Sequence, residues 1–313
     1  MGSVTQFNEK IRSVPPQLFA DDDILTAARA IARICGLETA DRVHEAMSHS
    51  GLLSLSVPSD LGGADVTNDI LAQVVTIIAE ADADVARRLA DHFKALEFVR
   101  NAGSEDQRRA LFARAGFGET FFLVGDSPDP EHPVLLGDDL SFWVSDARLT
   151  SVRSDVDWIV MPALNYLRQP VLVVVKNRRS AAVETDLRVD DVLPLTLGAE
   201  NLPISVATLL RAAILLGQTQ CILSDLIERS PTNEGVTELE VGEAYLGTEL
   251  LKAQIARVAA IIDAAQVGAE HVTVQSVRHS AAALEILMTR MRSAATDSTS
   301  HPVAVLGSDL LSR

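Results

Sequence analysis

The segment from Gly51 to Gln107 indicates the fold more clearly than any other part of the chain. It reads GLLSLSVPSDLGGADV over residues 51–66 and IIAEADADVARRLADHFKALEFVRNAGSEDQ over residues 77–107. Pro58 and the pair Gly62–Gly63 predict a sharp turn, because proline stops a helix and glycine lets the backbone fold back. Two helices with an apolar stripe should follow, because apolar residues recur at three- and four-residue spacing. The residues of the stripe are Ile77, Ile78, Ala81 and Val85, then Leu89, Phe93, Leu96 and Val99.

The pattern changes twice along the chain. Helical periodicity predicts helices over 24–37, 40–50, 66–82, 84–102 and 105–115. Short apolar or alternating runs then predict strands over 119–125, 140–145, 158–161, 170–176 and 182–189. Helical periodicity returns over 203–229, 237–266 and 268–295. We therefore predict a mainly helical α+β protein with an N-terminal helical domain (1–116), a small central β-domain (117–200) and a C-terminal helical bundle (201–313).

Composition narrows the class of protein. The 313 residues include 27 Lys and Arg against 43 Asp and Glu, a formal net charge of −16. A chain this acidic, with no basic face, is not expected to bind nucleic acid. It shows neither a signal-peptide core nor an apolar run of the ~20 residues that span a membrane, so we expect a cytoplasmic protein with no membrane partner. Cys35 and Cys221 are expected to be buried free thiols, and no spacing predicts a metal site.

Three segments, in the same order along the chain, resemble the acyl-CoA dehydrogenase superfamily. The turn and helices of residues 51–107 are similar to its N-terminal helical domain. Residues 151–160, Ser-Val-Arg-Ser-Asp-Val-Asp-Trp-Ile-Val, resemble its strand-turn-strand stretch. Residues 290–303 are similar to the C-terminal Arg-Asn-x-Arg-Thr-His-x-x-His-Asp-Pro-Val motif of its flavin-dependent, dibenzothiophene-type monooxygenases, and the chain looks closest to that branch. The resemblance implies a homo-oligomer, a dimer or tetramer, with a paralogous subunit as the alternative partner.

The segments that hold FAD in this superfamily depart from its pattern. The loop after the first strand is Gly125-Asp-Ser-Pro-Asp-Pro-Glu-His132, in which two prolines remove N–H donors and three acids add negative charge. The family's Gly-x-Arg-x-Thr-x-Ser-Gly loop is missing after Lys176, and the next long helix breaks off at Arg229. We therefore expect a degenerate FAD site with no bound cofactor, and FAD or FMN is the alternative. If flavin is retained, the resemblance implies that Ser127, Ser151 and Arg229 bind it.

Three residues are predicted to be catalytic, all by resemblance. His92 matches a histidine that the monooxygenases place near the flavin C4a position. Ser151 matches a family serine near the flavin, and the family's C-terminal histidine falls at Ser300, with His301 one residue along. Each also has a structural interpretation: His92 as a hydrogen-bonded interior histidine, Ser151 as a turn residue and His301 as a loop residue.

Three functions stay open at this point. The first is flavin-independent chemistry (cyclisation, isomerisation or elimination) on a hydrophobic small molecule or a carrier-bound acyl chain. The second is an FAD- or FMN-dependent oxidoreductase, either a monooxygenase or an acyl-CoA dehydrogenase. The third is a non-catalytic subunit that completes the hetero-oligomer of an active paralogue.

Overall fold

The computed structural model describes residues 14–18, 20–125, 135–138, 141–145, 155–177, 186–196, 198, 200–229, 238–269 and 273–294. The N-terminal helices are α1 (Asp21–Ile34), α2 (Ala40–His49), α3 (Asn68–Ala81), α4 (Ala83–Arg100) and α5 (Glu105–Gly116), with 3-10 turns at Leu52–Ser54 and Ser59–Leu61. The strands are β1 (Phe121–Leu123), β2 (Leu135–Asp138), β3 (Ser141–Ser145), β4 (Trp158–Leu164), β5 (Pro170–Lys176), β6 (Asp186–Arg188) and β7 (Asp191–Pro194). The C-terminal helices are α6 (Asn201–Arg229), α7 (Glu238–Gln266) and α8 (Val274–Ala294). This order of elements confirms the predicted mainly helical α+β class.

The strands form two small sheets. One has the order β1-β4-β5-β7, in which β1 runs parallel to β4 and the other pairs are antiparallel. Phe121 of β1 lies opposite Trp158 of β4 in this sheet. The second sheet has the order β2-β3-β6 and is antiparallel. The sequence pattern did not predict β2 or β7, because four-residue strands beside glycine, aspartate or proline carry little periodicity.

Helix α6 lies at the centre of the helical layer. It packs against α3, α4, α7 and α8. Its approach to α3 is close at Gly217, where an added Cβ would lie 2.5 Å from the Thr76 carbonyl oxygen and 2.7 Å from the Ala79 Cβ. The Thr76 hydroxyl donates a hydrogen bond to the Ala213 carbonyl across the same contact, at 3.2 Å. A residue without a side chain is therefore required at position 217 for these two helices to meet.

Helix α4 joins two hydrophobic cores. Its N-terminal half contributes Val85, Leu89 and Phe93 to the core of the helical layer. Its C-terminal half contributes Leu96 and Phe98, among others, to a second core against the sheet. Because α4 packs against both cores, its buried polar residues, His92 and Glu97, must find partners inside the protein.

One polar network connects the N-terminal helices with the C-terminal bundle. Glu97 of α4 is buried, forms an ion pair with Arg100 and accepts a hydrogen bond from the Gln266 side chain at 3.0 Å. Asn68 donates to Gln266 at 2.8 Å and to the Asp263 carboxylate at 2.6 Å. Burial raises the pKa of Glu97, and the Arg100 charge opposes this effect. The network thus holds α3, α4 and α7 together, although the Asn68 Oδ1 and the Arg100 Nε are buried without a hydrogen-bond partner among the described residues.

Helix α6 is the one helix of the described residues that is long and apolar enough to cross a membrane, with a mean hydropathy of 1.5 over an 18-residue window within Asn201–Glu228. Half of that window is buried inside the protein. Apolar character of this kind is also what the central helix of a bundle needs, since it packs on several sides.

Two local predictions need correction. The first helix was predicted over 24–37, but α1 begins three residues earlier, so that Asp21, Asp22 and Asp23 form its first turn. Their negative charge still favours the helix start. Cys35 is buried as expected, whereas Cys221 is exposed on the C-terminal half of α6. Periodicity places Cys221 in an apolar helix but does not reveal that this end of α6 extends beyond its partners.

Candidate functional site

A cleft opens where the N-terminal helices meet the first sheet. Its walls come from α2, the Leu52–Ser54 turn, α4, the start of β1 and the segment before β4. The empty space in the cleft, counted to include its open mouth, is about 540 Å³. The apolar lining residues are Val43, Met47, Leu53, Val85, Leu89, Phe121, Phe122 and Val156. The polar ones are His44, Arg88, His92, Thr120 and Asp155.

Local sequence explains why the turn and α4 meet. Gly51 adopts a φ of 82°, and a Cβ there would lie 2.3 Å from the Pro16 carbonyl oxygen, so only glycine fits. This turn brings Leu53 against α4. Asp82 begins α4 by accepting hydrogen bonds from the backbone N–H groups of Asp84 and Val85. The cap and the turn together set the position of the helix that carries Arg88 and His92.

His92 lies at the base of the cleft and is 1% exposed. Its Nδ1 accepts a hydrogen bond from the Phe121 backbone N–H at 3.0 Å. The ring proton is therefore on Nε2, which donates to the Leu53 carbonyl at 2.8 Å. The ring also contacts Phe93 and Phe121, with centroid distances of 5.7 and 5.8 Å. His92 thus connects α4, the Leu52–Ser54 turn and β1.

Burial makes the imidazole of His92 neutral. It lowers the pKa of His92 to about 4, against smaller opposing effects of the Leu53 carbonyl and the Asp157 charge. Both ring nitrogens already have backbone partners, so proton transfer through the ring would first require one of these bonds to break. This geometry matches the structural interpretation of His92, and a catalytic role for it stays a prediction.

Arg88 lies one helical turn before His92 and has a polar atom without a partner. Its Nη1 donates to the Asp155 carboxylate at 2.9 Å, and the two side chains are 28% and 24% exposed. Its Nε–H is buried and has no hydrogen-bond partner among the described residues. A buried donor left unpaired costs about 1–3 kcal/mol. The guanidinium has further N–H groups that Asp155 does not use, so the partly exposed Arg88 side chain offers donors to a molecule bound in the cleft.

The wall opposite α4 is held by hydrogen bonds between β1 and the start of β4. The Thr120 backbone N–H donates to the Asp157 carboxylate at 2.9 Å, and the Trp158 N–H donates to the Thr120 carbonyl at 2.9 Å. The Asn177 side chain donates to the Val156 carbonyl at 2.8 Å. These bonds position Asp155 and Val156 at the cleft.

The structure describes only part of the predicted site. Ser127, Ser151 and His301 lie outside the described residues. Arg229 is the last residue of α6, and its side chain is likewise not described. Within the described part of the chain, no group of three or more His, Cys, Asp or Glu side chains is arranged to hold a metal ion.

Two residues of the cleft were missed at the sequence level. Arg88 precedes His92 by four residues, which places both on one helix face, so this spacing was an available signal. Asp155 stands in the segment that resembles the family's strand-turn-strand stretch, but nothing in the sequence paired it with Arg88, 67 residues earlier.

The sequence itself matches no family model, and no curated protein matches it. Solved structures do match. The dibenzothiophene monooxygenase TdsC from Paenibacillus sp. A11-2, in its indole-bound form, aligns with a TM-score of 0.69 at 16% identity, over 86% of this chain and 83% of that one. The methanesulfinate monooxygenase MsuC from Pseudomonas fluorescens aligns with a TM-score of 0.67 at 18% identity, over 94% and 91%.

The chain has the acyl-CoA dehydrogenase fold. The neighbours include a dibenzothiophene monooxygenase, the type to which the sequence motifs pointed. XiaF from Streptomyces sp., solved with FADH2 and glycerol, aligns with a TM-score of 0.61 at 12% identity, over 93% of this chain and 94% of that one. At these identities the likeness establishes the fold.

Proposed function

We propose that the chain is a flavin-dependent oxidoreductase of the monooxygenase type, acting on an apolar small molecule bound in the cleft. The proposal rests on one observation: polar side chains that line the cleft are already hydrogen-bonded or ion-paired within the protein. His92 is hydrogen-bonded through both ring nitrogens, and Asp155 is paired with Arg88. Groups engaged in this way are suited to binding and orienting a ligand, and a cofactor would supply the reactive chemistry.

Several observations support flavin as that cofactor. TdsC was solved with FMN and XiaF with FADH2. The walls of the cleft are mainly apolar, and the predicted flavin-binding residues are close to it in sequence, since Ser127 follows β1 and Ser151 precedes Asp155. Arg229 is the third residue that would hold the group. When bound, a reduced flavin supplies the electrons for activating O2 toward the substrate.

The chain's own residues would then bind the substrate and exclude water. Leu53, Leu89 and Phe121 form apolar walls that keep water from the reacting groups. His92 holds β1 and the Leu52–Ser54 turn against α4, which keeps these walls at a constant separation. Arg88 is the donor available for orienting an oxygen atom of the substrate.

The proposal is tested by titrating the purified chain with oxidised and reduced FMN and FAD while following thermal unfolding. A ligand at about 100 times its Kd adds about 2.7 kcal/mol to the free energy of unfolding, so a bound flavin raises the Tm measurably. Ser151→Ala should weaken the effect, and Ser224→Ala, at an exposed position of α6, should not. Absence of any shift with all four flavin species would refute the proposal.

That negative result would favour a second candidate, a flavin-independent enzyme acting on the same class of ligand. The observation behind it is the segment Gly125–His132, where two prolines and three acids replace a loop that donates hydrogen bonds to flavin in the superfamily. Under this alternative, apolar ligands still bind the cleft and turnover needs no added flavin. An assay for substrate loss with and without flavin separates the two candidates.

We also propose that the chain assembles as a dimer or tetramer through its C-terminal helices. Large apolar side chains are exposed there, namely Ile222, Leu246, Leu250 and Ile286. Several such residues on one layer favour burial against another subunit. Light scattering should give at least twice the 33.6 kDa mass of the chain, and the double variant Ile222→Glu/Leu250→Glu should reduce it to one chain. A monomer that assembles only with a paralogue would instead indicate a hetero-oligomeric subunit.

A further inference from the structure

We infer that Arg88 selects the ligands of the cleft, and that the substrate is an apolar, uncharged molecule with one hydrogen-bond-accepting oxygen, such as a carbonyl. The inference deepens the proposed function and rests on it, because it takes the cleft as the substrate site. It concerns binding, so it can be tested without flavin or turnover.

The first argument is the unpaired donor. Arg88 is the only guanidinium among the described residues that line the cleft, and its Nε–H is buried without a partner. The neighbouring surfaces, from Leu53, Leu89 and Phe121, are apolar and offer no acceptor from their side chains. The Nε itself is closed to solvent, but the Arg88 side chain is 28% exposed and keeps N–H groups that Asp155 does not use. An oxygen acceptor can hydrogen-bond to these groups, whereas a hydrocarbon ligand cannot.

The second argument is charge. The Asp155 carboxylate lies 2.9 Å from Arg88 Nη1 and balances its positive charge. An anionic ligand placed at Arg88 would therefore also lie close to Asp155, and the two negative charges would repel each other. An uncharged oxygen gains the hydrogen bond without that repulsion. This combination favours a ketone or amide over a carboxylate.

The experiment compares three two-ring probes by equilibrium titration of the full chain: naphthalene, 2-acetylnaphthalene and 2-naphthoate. We expect 2-acetylnaphthalene to bind the wild type about tenfold more tightly than naphthalene, because hydrogen bonds to charged groups are the stronger ones. We expect 2-naphthoate to bind more weakly than 2-acetylnaphthalene.

Variants assign the preference to the pair of residues. Arg88→Met should remove the preference for the ketone while keeping naphthalene binding. Arg87→Met, at the adjacent position where the side chain is 55% exposed, is the matched control and should leave all three affinities unchanged. Asp155→Asn leaves the Arg88 charge unbalanced and should raise 2-naphthoate affinity about tenfold.

The inference is overturned if the ketone preference persists in Arg88→Met, or if 2-naphthoate binds the wild type most tightly. It is also overturned if none of the three probes binds the wild type. Each of these results is independent of the flavin titrations, so a failure of this inference can be told from a failure of the proposed function. If Arg88→Met does not fold, the Asp155→Asn result decides: an unchanged 2-naphthoate affinity refutes the charge argument.

Discussion

Replacing His92 by asparagine removes one of the two hydrogen bonds that connect α4, the Leu52–Ser54 turn and β1. The asparagine oxygen can take the place of Nδ1 and accept from the Phe121 N–H, but the Leu53 carbonyl loses its donor. A net hydrogen bond is worth about 1 kcal/mol, and a buried group left unpaired costs about 1–3 kcal/mol. The unpaired Leu53 carbonyl sets this cost, so we expect His92→Asn to lower the free energy of unfolding by about 1–3 kcal/mol. His92→Ala leaves both backbone groups unpaired and opens a cavity, so it should cost about 3–5 kcal/mol.

The same residue makes the stability of the protein depend on pH. Burial lowers the pKa of His92 from 6.5 to about 4 in the folded state. Because the folded-state pKa is the lower one, the unfolded chain takes up a proton first as the pH falls. The stabilisation is therefore complete above pH 6.5 and is lost as the pH falls to about 4. The difference between the two pKa values corresponds to roughly 3 kcal/mol.

Urea unfolding followed by circular dichroism, repeated from neutral pH to about pH 4, measures both effects. On acidification, the free energy of unfolding should fall faster for the wild type than for His92→Asn. The difference in free energy of unfolding between the two proteins should therefore become smaller. His279→Asn, at an exposed histidine of α8, is the control and should follow the wild type throughout. If His92→Asn keeps wild-type stability at every pH while substrate turnover disappears, the structural reasoning is refuted and His92 is catalytic.

Three further predictions concern the rest of the fold. Gly217→Ala should destabilise the protein by about 1–3 kcal/mol, because its Cβ would overlap α3. Gly116→Ala, where no atom lies within 4 Å of the added Cβ, should be neutral or slightly stabilising in the same thermal-unfolding assay. Asp82→Ala should cost about 1 kcal/mol by removing the cap of α4, and Asp82→Asn much less; equal losses would contradict the capping argument. A thiol reagent should modify Cys221 in the native protein and Cys35 only after unfolding, as judged by mass spectrometry.

Local pattern accounts for much of the fold. The spacing of Phe93, Leu96 and Val99 predicted one buried face of α4, and all three side chains are buried. Helices and longer strands can be predicted in this way because each repeats a geometric period that its apolar residues must follow to reach a core. Strands of four residues such as β7 span too few repeats to show that period.

The cleft could be predicted only in part. His92 was identified by resemblance, but its hydrogen bonds and its neutral form were not predicted. Its partners are backbone atoms of Leu53 and Phe121, which lie 39 and 29 residues away in the chain. Backbone atoms are present at every position, so no residue type marks them as partners. The Arg88–Asp155 ion pair was missed for a related reason. Neither residue alone shows in the sequence that it will form an ion pair, because only folding brings the two side chains together.

The helices and the longer strands, with their order along the chain, follow from the sequence alone, because each depends on the pattern of residues near one another in the chain. The neutral state of His92, with both nitrogens hydrogen-bonded, and the buried, unpartnered Nε of Arg88 follow only from the folded molecule. Hydrogen bonding and burial depend on what the rest of the chain places around a group. That surrounding arrangement is a property of the packed molecule and not of any local segment.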